Sequence, residues 1–265
     1  MSYPSGIVPA ATGEGPGRAR APDPRGFDRA PARSLTFPFV TGQRRELSVT
    51  LTPRPVFDLA RRQAVGVRLG RVVRRSGREG ALAGLSRGPL EVADLKRIDV
   101  DTLRHGMGLF EADQAATGVV PAFWRTVAAA RGRFALLYAG LEVEVDAGRL
   151  LVEVVGLGDS VDLDELKSAC GQLEAQRRGV VLHAPPDAAS VTRLGAIRPR
   201  CIGLDFAGVE TQGQVGWQGA VTLISAARAA AENVLLVNLP PDKGEAAAAA
   251  GATHAVFCPM QPLRA

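Results

Sequence analysis

The residues best suited to chemistry in this chain are two carboxylates at the ends of predicted strands. Glu153 lies in the apolar run 150–156, and Asp205 ends the apolar run 202–205. Acids at strand ends can hold a hard cation such as Mg²⁺, which needs several oxygen ligands that converge on one point. The segment 184–186 (Ala-Pro-Pro), which follows another predicted strand, supplies no such ligand. The two acids are therefore more typical of capping or salt-bridging groups than of a metal site.

His183 and the cysteines are the other residue types that bind metals or do redox chemistry. His183 and Cys258 both lie at the ends of predicted strands, but without paired spacing such residues are more often structural. Cys170, Cys201 and Cys258 are few and widely spaced, so they suggest neither a disulfide framework nor a zinc ribbon. We predict no metal and no cofactor, and a reducing compartment.

Apolar spacing predicts the elements that must position these residues. The predicted strands lie near 46–51, 64–69, 134–141, 150–155, 179–183, 201–206, 234–238 and 253–258. The predicted helices lie near 90–110, 121–131, 163–177, 188–194, 220–231 and 243–250. Continuous apolar strands that alternate with helices indicate a parallel sheet covered by helices. No Gly-x-Gly-x-x-Gly turn follows a strand, and the number of units favours an α/β barrel.

Composition sets the limits of this domain. Residues 1–33 are rich in Pro, Gly, Ala and Arg without hydrophobic periodicity, which predicts a disordered tail before a folded domain at 34–265. No apolar run approaches the ~20 residues that a membrane span needs. The N-terminus lacks the regions of a signal peptide, so the expected location is the cytoplasm.

Positive charge is concentrated between Arg44 and Arg78. The net charge is +5, and this segment alone holds ten arginines against Glu46 and Asp58. Such a cluster can bind nucleic acid, anionic lipid or an acidic protein. Nucleic acid usually also needs stacking aromatics or a reading helix, and only Phe57 lies among these arginines. An acidic protein partner is therefore favoured, and nucleic acid is not expected.

The order and spacing of these segments resemble the EAL domain, the cyclic di-GMP phosphodiesterase barrel of bacteria. Residues 54–59 and 66–70 are similar to its Gln-Pro strand and its Gly-x-Glu-Ala-Leu motif. Residues 150–156 resemble its Leu-x-x-Glu-Ile-Thr-Glu strand, and residues 202–205 resemble its Leu-Lys-Ile-Asp strand. Residues 237–241 resemble its late Ala-Glu-Gly-Val-Glu strand. The resemblance implies a TIM-like (β/α) barrel of EAL type.

The resemblance also implies that most catalytic groups have been replaced. EAL enzymes hydrolyse a phosphodiester with two divalent cations held by oxygen ligands at strand ends. At the matching positions, Arg68 replaces the signature Glu of the family, and Gly156 replaces the second Glu of the strand that contains Glu153. Pro185 and Pro186 replace an Asp-Asp pair, and Gly203 replaces the Lys that precedes the Asp at position 205. Ala139 or Gly140 replaces an Asn. Glu153 and Asp205 alone do not make a binuclear site.

Two arginines lie near the place where the family puts an Arg on a dinucleotide phosphate. These are Arg68 and Arg71, although a strict count puts Val72 there. Solvated surface charge is the favoured interpretation of both, because clustered arginines are usually exposed. The alternative is that Arg68, Arg71, Glu153 and Asp205 contact a dinucleotide.

We therefore predict a catalytically inactive EAL-like domain that acts as a protein–protein interaction module in bacterial signalling. The favoured partner is an acidic protein, and a homodimer is left open. The alternative is a non-hydrolysing cyclic di-GMP receptor. A third interpretation, an enzyme of altered chemistry, requires a convergent set of acids in the cleft.

Overall fold

Eight strands close into a barrel, and one further strand extends it at the edge. The computed structural model describes residues 34–75, 90–112, 117–141, 149–207, 209 and 211–259, so the predicted tail at 1–33 lies outside the described residues. The strands are β1 (Leu35–Val40), β2 (Glu46–Asp58), β3 (Gln63–Arg75), β4 (Gly118–Phe123), β5 (Leu150–Val155), β6 (Gly179–Ala184), β7 (Cys201–Asp205), β8 (Asn233–Leu239) and β9 (His254–Phe257).

The strands follow one another around the barrel in chain order. The seven strands from β3 to β9 are parallel to one another, whereas β2 is antiparallel to both β3 and β9. The pairing of Phe57 with Ala255 and of Asp58 with His254 closes the ring. β1 pairs with β2 alone. This mixed barrel confirms the predicted TIM-like architecture.

Helices cover the outside of the barrel. They are α1 (Val92–Ala112), α2 (Trp124–Ala128), α3 (Ala130–Leu141), α4 (Leu163–Ala175), α5 (Ala188–Gly195), α6 (Gly213–Ala230) and α7 (Gly244–Ala249). Two of them start at aspartates that accept backbone N–H bonds: Asp162 caps α4 and Asp187 caps α5. Within the described part of the chain, no helix is both long and apolar enough to cross a membrane.

The barrel interior is packed with aliphatic side chains. Its buried residues are Val56, Val119, Val181, Leu235, Val237 and Val256. The opposite faces of the same strands pack against the helices in a larger cluster, so each strand buries both faces. This explains why the strands read as continuous apolar runs rather than as alternating ones.

Two predicted elements are wrong. The segment 134–141, predicted as a strand, belongs to α3, because a short apolar run does not distinguish a buried strand from a helix. The helix predicted at 121–131 begins only at Trp124, and Pro121 lies in β4 opposite Glu153. Ala139 and Gly140, which are expected on a strand, therefore lie on the helix α3. The strand between β3 and β5 is instead β4.

Candidate functional site

Six polar side chains converge at one end of the barrel, toward the carboxyl ends of the parallel strands. We call them the rim cluster: Arg54, Arg68, Glu153, His183, Asp205 and Asn238. The register of the strands brings them together, since β5 to β8 are parallel neighbours that end at the same edge. The sequence separations inside the cluster reach 184 residues.

Glu153 is the centre of the first half of the cluster. Its side chain is fully buried, and Oε2 accepts a hydrogen bond from Arg68 Nε at 2.9 Å. Oε1 lies 2.7 Å from His183 Nδ1, which must donate because an ionised carboxylate only accepts. Both carboxylate oxygens are thus engaged by protein donors.

The charge state of Glu153 follows from these contacts. Burial alone would raise the pKa of this carboxyl, but the Arg68 guanidinium and the His183 hydrogen bond outweigh it and lower the pKa from 4.5 to about 2. Glu153 is therefore an anion at neutral pH. Its charge is matched by Arg68, whose side chain is 10% exposed.

Gly203 lies directly beside the His183–Glu153 pair. A Cβ at position 203 would lie 3.2 Å from Val181 Cγ1 and 3.5 Å from His183 Nδ1. Only the first distance is tight for a methyl group, whereas the second is an ordinary van der Waals contact. A methyl group at position 203 would therefore press on Val181 and only touch the His183–Glu153 pair.

The second half of the cluster joins Arg54, Asn238 and Asp205. Arg54 Nη1 donates to Asn238 Oδ1 at 2.6 Å, and Arg54 Nη2 donates to the carbonyl of Phe257 at 3.1 Å. Asn238 Nδ2 donates to Asp205 Oδ1 at 2.7 Å. Asn238 has a φ of 57° at a register shift in β8, and Asn tolerates this left-handed conformation better than most residues.

The two arginines are direct neighbours. Arg54 lies opposite Arg68 in the antiparallel register of β2 and β3. Burial and the like charge of Arg68 lower the pKa of Arg54, and Cys258 and Asp205 oppose this shift. The rim cluster therefore holds two guanidinium groups together with two carboxylates, those of Glu153 and Asp205.

Arg71 lies elsewhere. Its side chain is 4% exposed, and Nη1 donates to Asp99 Oδ1 at 2.6 Å. Its guanidinium also stacks on the Phe123 ring at 4.0 Å. The interpretation of Arg68 and Arg71 as solvated surface charge is wrong for both, because each forms a buried ion pair. The structure brings Arg68, Glu153 and Asp205 into one cluster and leaves Arg71 outside it.

The arginine-rich segment is exposed only in part: Arg44, Arg45 and Arg61 are exposed, whereas several of its other arginines are engaged within the fold. Arg54 bonds to Asn238, Arg62 pairs with Glu245 at 2.7 Å, and Arg68 and Arg71 are buried. Arg78 lies outside the described residues. The sequence count of positive charge therefore overstates what this segment offers to a partner.

Sequence reasoning placed Arg54 and Asn238 in segments that resemble EAL motifs but gave neither a role in a site. The strands predicted near 46–51 and 64–69 are consecutive in the chain, and in the structure the register of β2 and β3 places Arg54 opposite Arg68. To predict that Asn238 belongs to the cluster, one needs the order of the strands around the barrel. His183 and Cys258 do not share a metal site: His183 contacts Glu153, and no group of three or more His, Cys, Asp or Glu among the described residues is arranged to hold a metal ion.

Comparison with known proteins identifies the fold. No family and no curated protein sequence matches the chain, but solved structures of EAL domains do. An EAL domain protein from Listeria monocytogenes matches with a TM-score of 0.57 and 11% identity over 79% of this chain and 85% of its own. A standalone EAL protein from Vibrio cholerae, in its c-di-GMP-bound form, matches with a TM-score of 0.59 and 12% identity over 78% and 88%.

A third match is to a longer protein. Klebsiella pneumoniae BlrP1, solved in a manganese and c-di-GMP complex, gives a TM-score of 0.60 and 11% identity over 86% of this chain, which spans 59% of its length. At these identities the similarity shows the fold: the barrel is of the EAL type.

Proposed function

We propose that this chain is a non-hydrolysing EAL-like domain that regulates signalling by binding a protein partner. The observation that carries the proposal is the ion pair between Arg68 and Glu153. A guanidinium stands where the EAL pattern has its signature metal-ligating Glu, and it neutralises the carboxylate that the pattern retains.

The rim cluster does not fit a pair of divalent cations. A hard cation needs several free oxygen ligands at one point, whereas both oxygens of Glu153 are engaged by Arg68 and His183. Asp205 Oδ1 accepts from Asn238 Nδ2 and from the Ala207 N–H. A cation beside Glu153 would also face two arginines, so the donor set favours a structural network over a metal site.

The absence of hydrolysis is directly testable. We expect the purified full chain to release no linear product from cyclic di-GMP in the presence of Mg²⁺ or Mn²⁺, as measured by chromatography. Loss of most of a reacting site usually costs many orders of magnitude in rate. Metal-dependent turnover that Glu153→Gln abolishes would overturn the proposal, and turnover unaffected by Glu153→Gln would indicate a contaminant.

A surface on α3 supports the interaction role. Phe134 and Tyr138 are 70% and 54% exposed, one helical turn apart, with ring centroids 6.3 Å from each other. Arg131 is exposed on the preceding turn. Exposed aromatic and arginine side chains in one stripe are typical of the residues that dominate protein interfaces. We call this stripe the α3 surface: Arg131, Phe134 and Tyr138.

The charge around the α3 surface indicates the kind of partner. Arg131 places a positive charge on the helical turn before the aromatic pair, and a guanidinium matches a carboxylate in bidentate contacts. The α3 surface therefore fits an acidic segment with an apolar anchor.

Photo-crosslinking in the cells that express the chain tests this surface. With benzoylphenylalanine in place of Tyr138 we expect one defined adduct whose crosslinked segment is acidic, and with the same group in place of Val215, which is 89% exposed, we expect none. Arg131→Glu should abolish the adduct because it reverses the local charge. An adduct to a second copy, or to a basic segment, would contradict the proposed partner.

A second candidate function is a non-hydrolysing receptor for cyclic di-GMP. It is favoured by the two arginines of the rim cluster, because arginines are suited to contact phosphates. The EAL structures from Vibrio cholerae and Klebsiella pneumoniae described above hold c-di-GMP.

A further inference from the structure

The barrel closes at a short seam between β2 and β9. Within the described part of the chain, the ladder between these two strands consists of the pairs Phe57 with Ala255 and Asp58 with His254. Other neighbours share longer ladders: β4 and β5, for example, pair along the whole of 118–123. Closure of the ring therefore depends on few backbone contacts between β2 and β9.

Proline ends this ladder on the side of the barrel mouth. The Leu59 N–H donates to the Thr253 carbonyl, so alternate residues of β2, counted back from Leu59, direct their N–H groups at β9. Continuing the register of the seam puts Pro55 opposite Phe257. Because proline has no N–H, β2 has no backbone donor there for the Phe257 carbonyl.

The Arg54 side chain supplies the donor that Pro55 lacks. Its Nη2 donates to the Phe257 carbonyl at 3.1 Å, and its Nη1 donates to Asn238 Oδ1 at 2.6 Å. Asn238 lies at the register shift of β8, and an irregularity of this kind re-aims a side chain. The guanidinium thus reaches from β2 to both β8 and β9, across the seam.

The seam differs from the other short junction of the barrel, which lies between β3 and β4. That ladder also has two residue pairs in the described chain, but Val67 and Leu69 of β3 pack there in one buried cluster with residues of α1. On the outside of the β2–β9 seam, the rings of Phe57 and Phe257 lie 5.4 Å apart and are only partly buried. Regions with few buried apolar contacts open locally at a lower free energy than the core.

We propose that the β2–β9 seam is a conformational gate, which opens while the rest of the barrel stays folded, and that Arg54 is the latch that holds it closed. The family's cleft thus carries a fastening device at the place where the ring is weakest. Opening would separate β9 from β2 and release Asn238 and the Phe257 carbonyl from the guanidinium.

Hydrogen–deuterium exchange of the full chain, followed by mass spectrometry, tests the latch. We expect peptides that cover 53–59 and 254–258 to exchange at least about tenfold faster in Arg54→Gln than in the wild type, because charge-assisted hydrogen bonds are lost. Peptides that cover β5 and β6 should exchange at the wild-type rate. Equal acceleration in all strands would overturn the proposal, since it would report global unfolding. Unchanged exchange at the seam would also overturn it.

Arg62→Gln is the matched control, because Arg62 also reaches across this region of the barrel. It joins the turn after β2 to Glu245 of α7, but the two side chains are 50% and 82% exposed. Exposed pairs contribute little, so exchange at the seam should stay within about twofold of the wild type. A tenfold acceleration in this variant would overturn the assignment of the latch to Arg54.

A rescue variant keeps the test independent of folding defects. Pro55→Ala restores a backbone N–H opposite the Phe257 carbonyl, and Pro55 itself is exposed. In the Arg54→Gln background we expect this change to return most of the protection at the seam. A double variant that exchanges as fast as Arg54→Gln would overturn the role of Arg54 as the substitute donor. The hydrolysis and crosslinking results do not depend on the seam, so failure here leaves the proposed function standing.

Discussion

Arg71→Met is expected to lower the free energy of unfolding by about 3–5 kcal/mol, because it leaves the Asp99 carboxylate buried without its counter-charge. Both side chains of this pair are almost fully buried, at 4% and 0% exposure, with Nη1 and Oδ1 2.6 Å apart. The substitution also removes the stacking of the guanidinium on Phe123. Urea denaturation followed by circular dichroism measures the change.

The chain provides a control that has the same geometry and a different environment. Arg62 Nη2 lies 2.7 Å from Glu245 Oε1, but the two side chains are 50% and 82% exposed. Arg62→Met should change the free energy of unfolding by less than about 1 kcal/mol, because exposed pairs gain little. Equal losses in the two variants would contradict the assignment of the effect to burial.

A double variant separates the ion pair from simple packing. Asp99 also accepts a hydrogen bond from the Phe123 N–H at 3.0 Å, and Asn retains that acceptor. In Arg71→Met with Asp99→Asn no charge is left buried, so most of the stability lost in the single variant should return. If the double variant is less stable than Arg71→Met, packing by the arginine rather than its charge is decisive.

The sequence predicted the barrel well where local signals and tertiary structure agree. α4 starts at Asp162, which caps it, and β5 is an apolar run bounded as predicted. The prediction failed at 134–141, where α3 buries Leu136 and Ala139 but exposes Phe134 and Tyr138. The hydrophobic face of α3 is blurred by these exposed aromatics, so its helical period is not visible in the residue types.

The rim cluster was predictable only in part for a different reason. Glu153 and Asp205 stand out because acids in buried apolar strands are rare, and Arg68 stands out against the EAL pattern. Their partners depend on strand register: Arg68 and Glu153 are 85 residues apart, and Arg54 and Asn238 are 184 apart. Arg71 was grouped with Arg68 by proximity in sequence, yet the two side chains lie in different ion pairs.

Acid is expected to destabilise the protein through Glu153. Its folded pKa, about 2, lies below the ordinary value of 4.5, so the unfolded chain binds a proton more readily. The resulting stability is fully present above about pH 4.5 and is lost as the pH falls toward 2. A difference of this size corresponds to about 3 kcal/mol, since one pKa unit equals about 1.4 kcal/mol.

Glu153→Gln isolates this contribution, because glutamine has nearly the same shape and does not titrate. At neutral pH the variant should be less stable than the wild type, since Arg68 loses its counter-charge. The two curves of unfolding free energy against pH should converge between about pH 4.5 and pH 2. Glu245→Gln, which alters a carboxylate whose side chain is 82% exposed, should instead give a curve parallel to the wild type. A Glu153→Gln curve that stays parallel to the wild type would show that Glu153 does not hold its charge against Arg68 and His183.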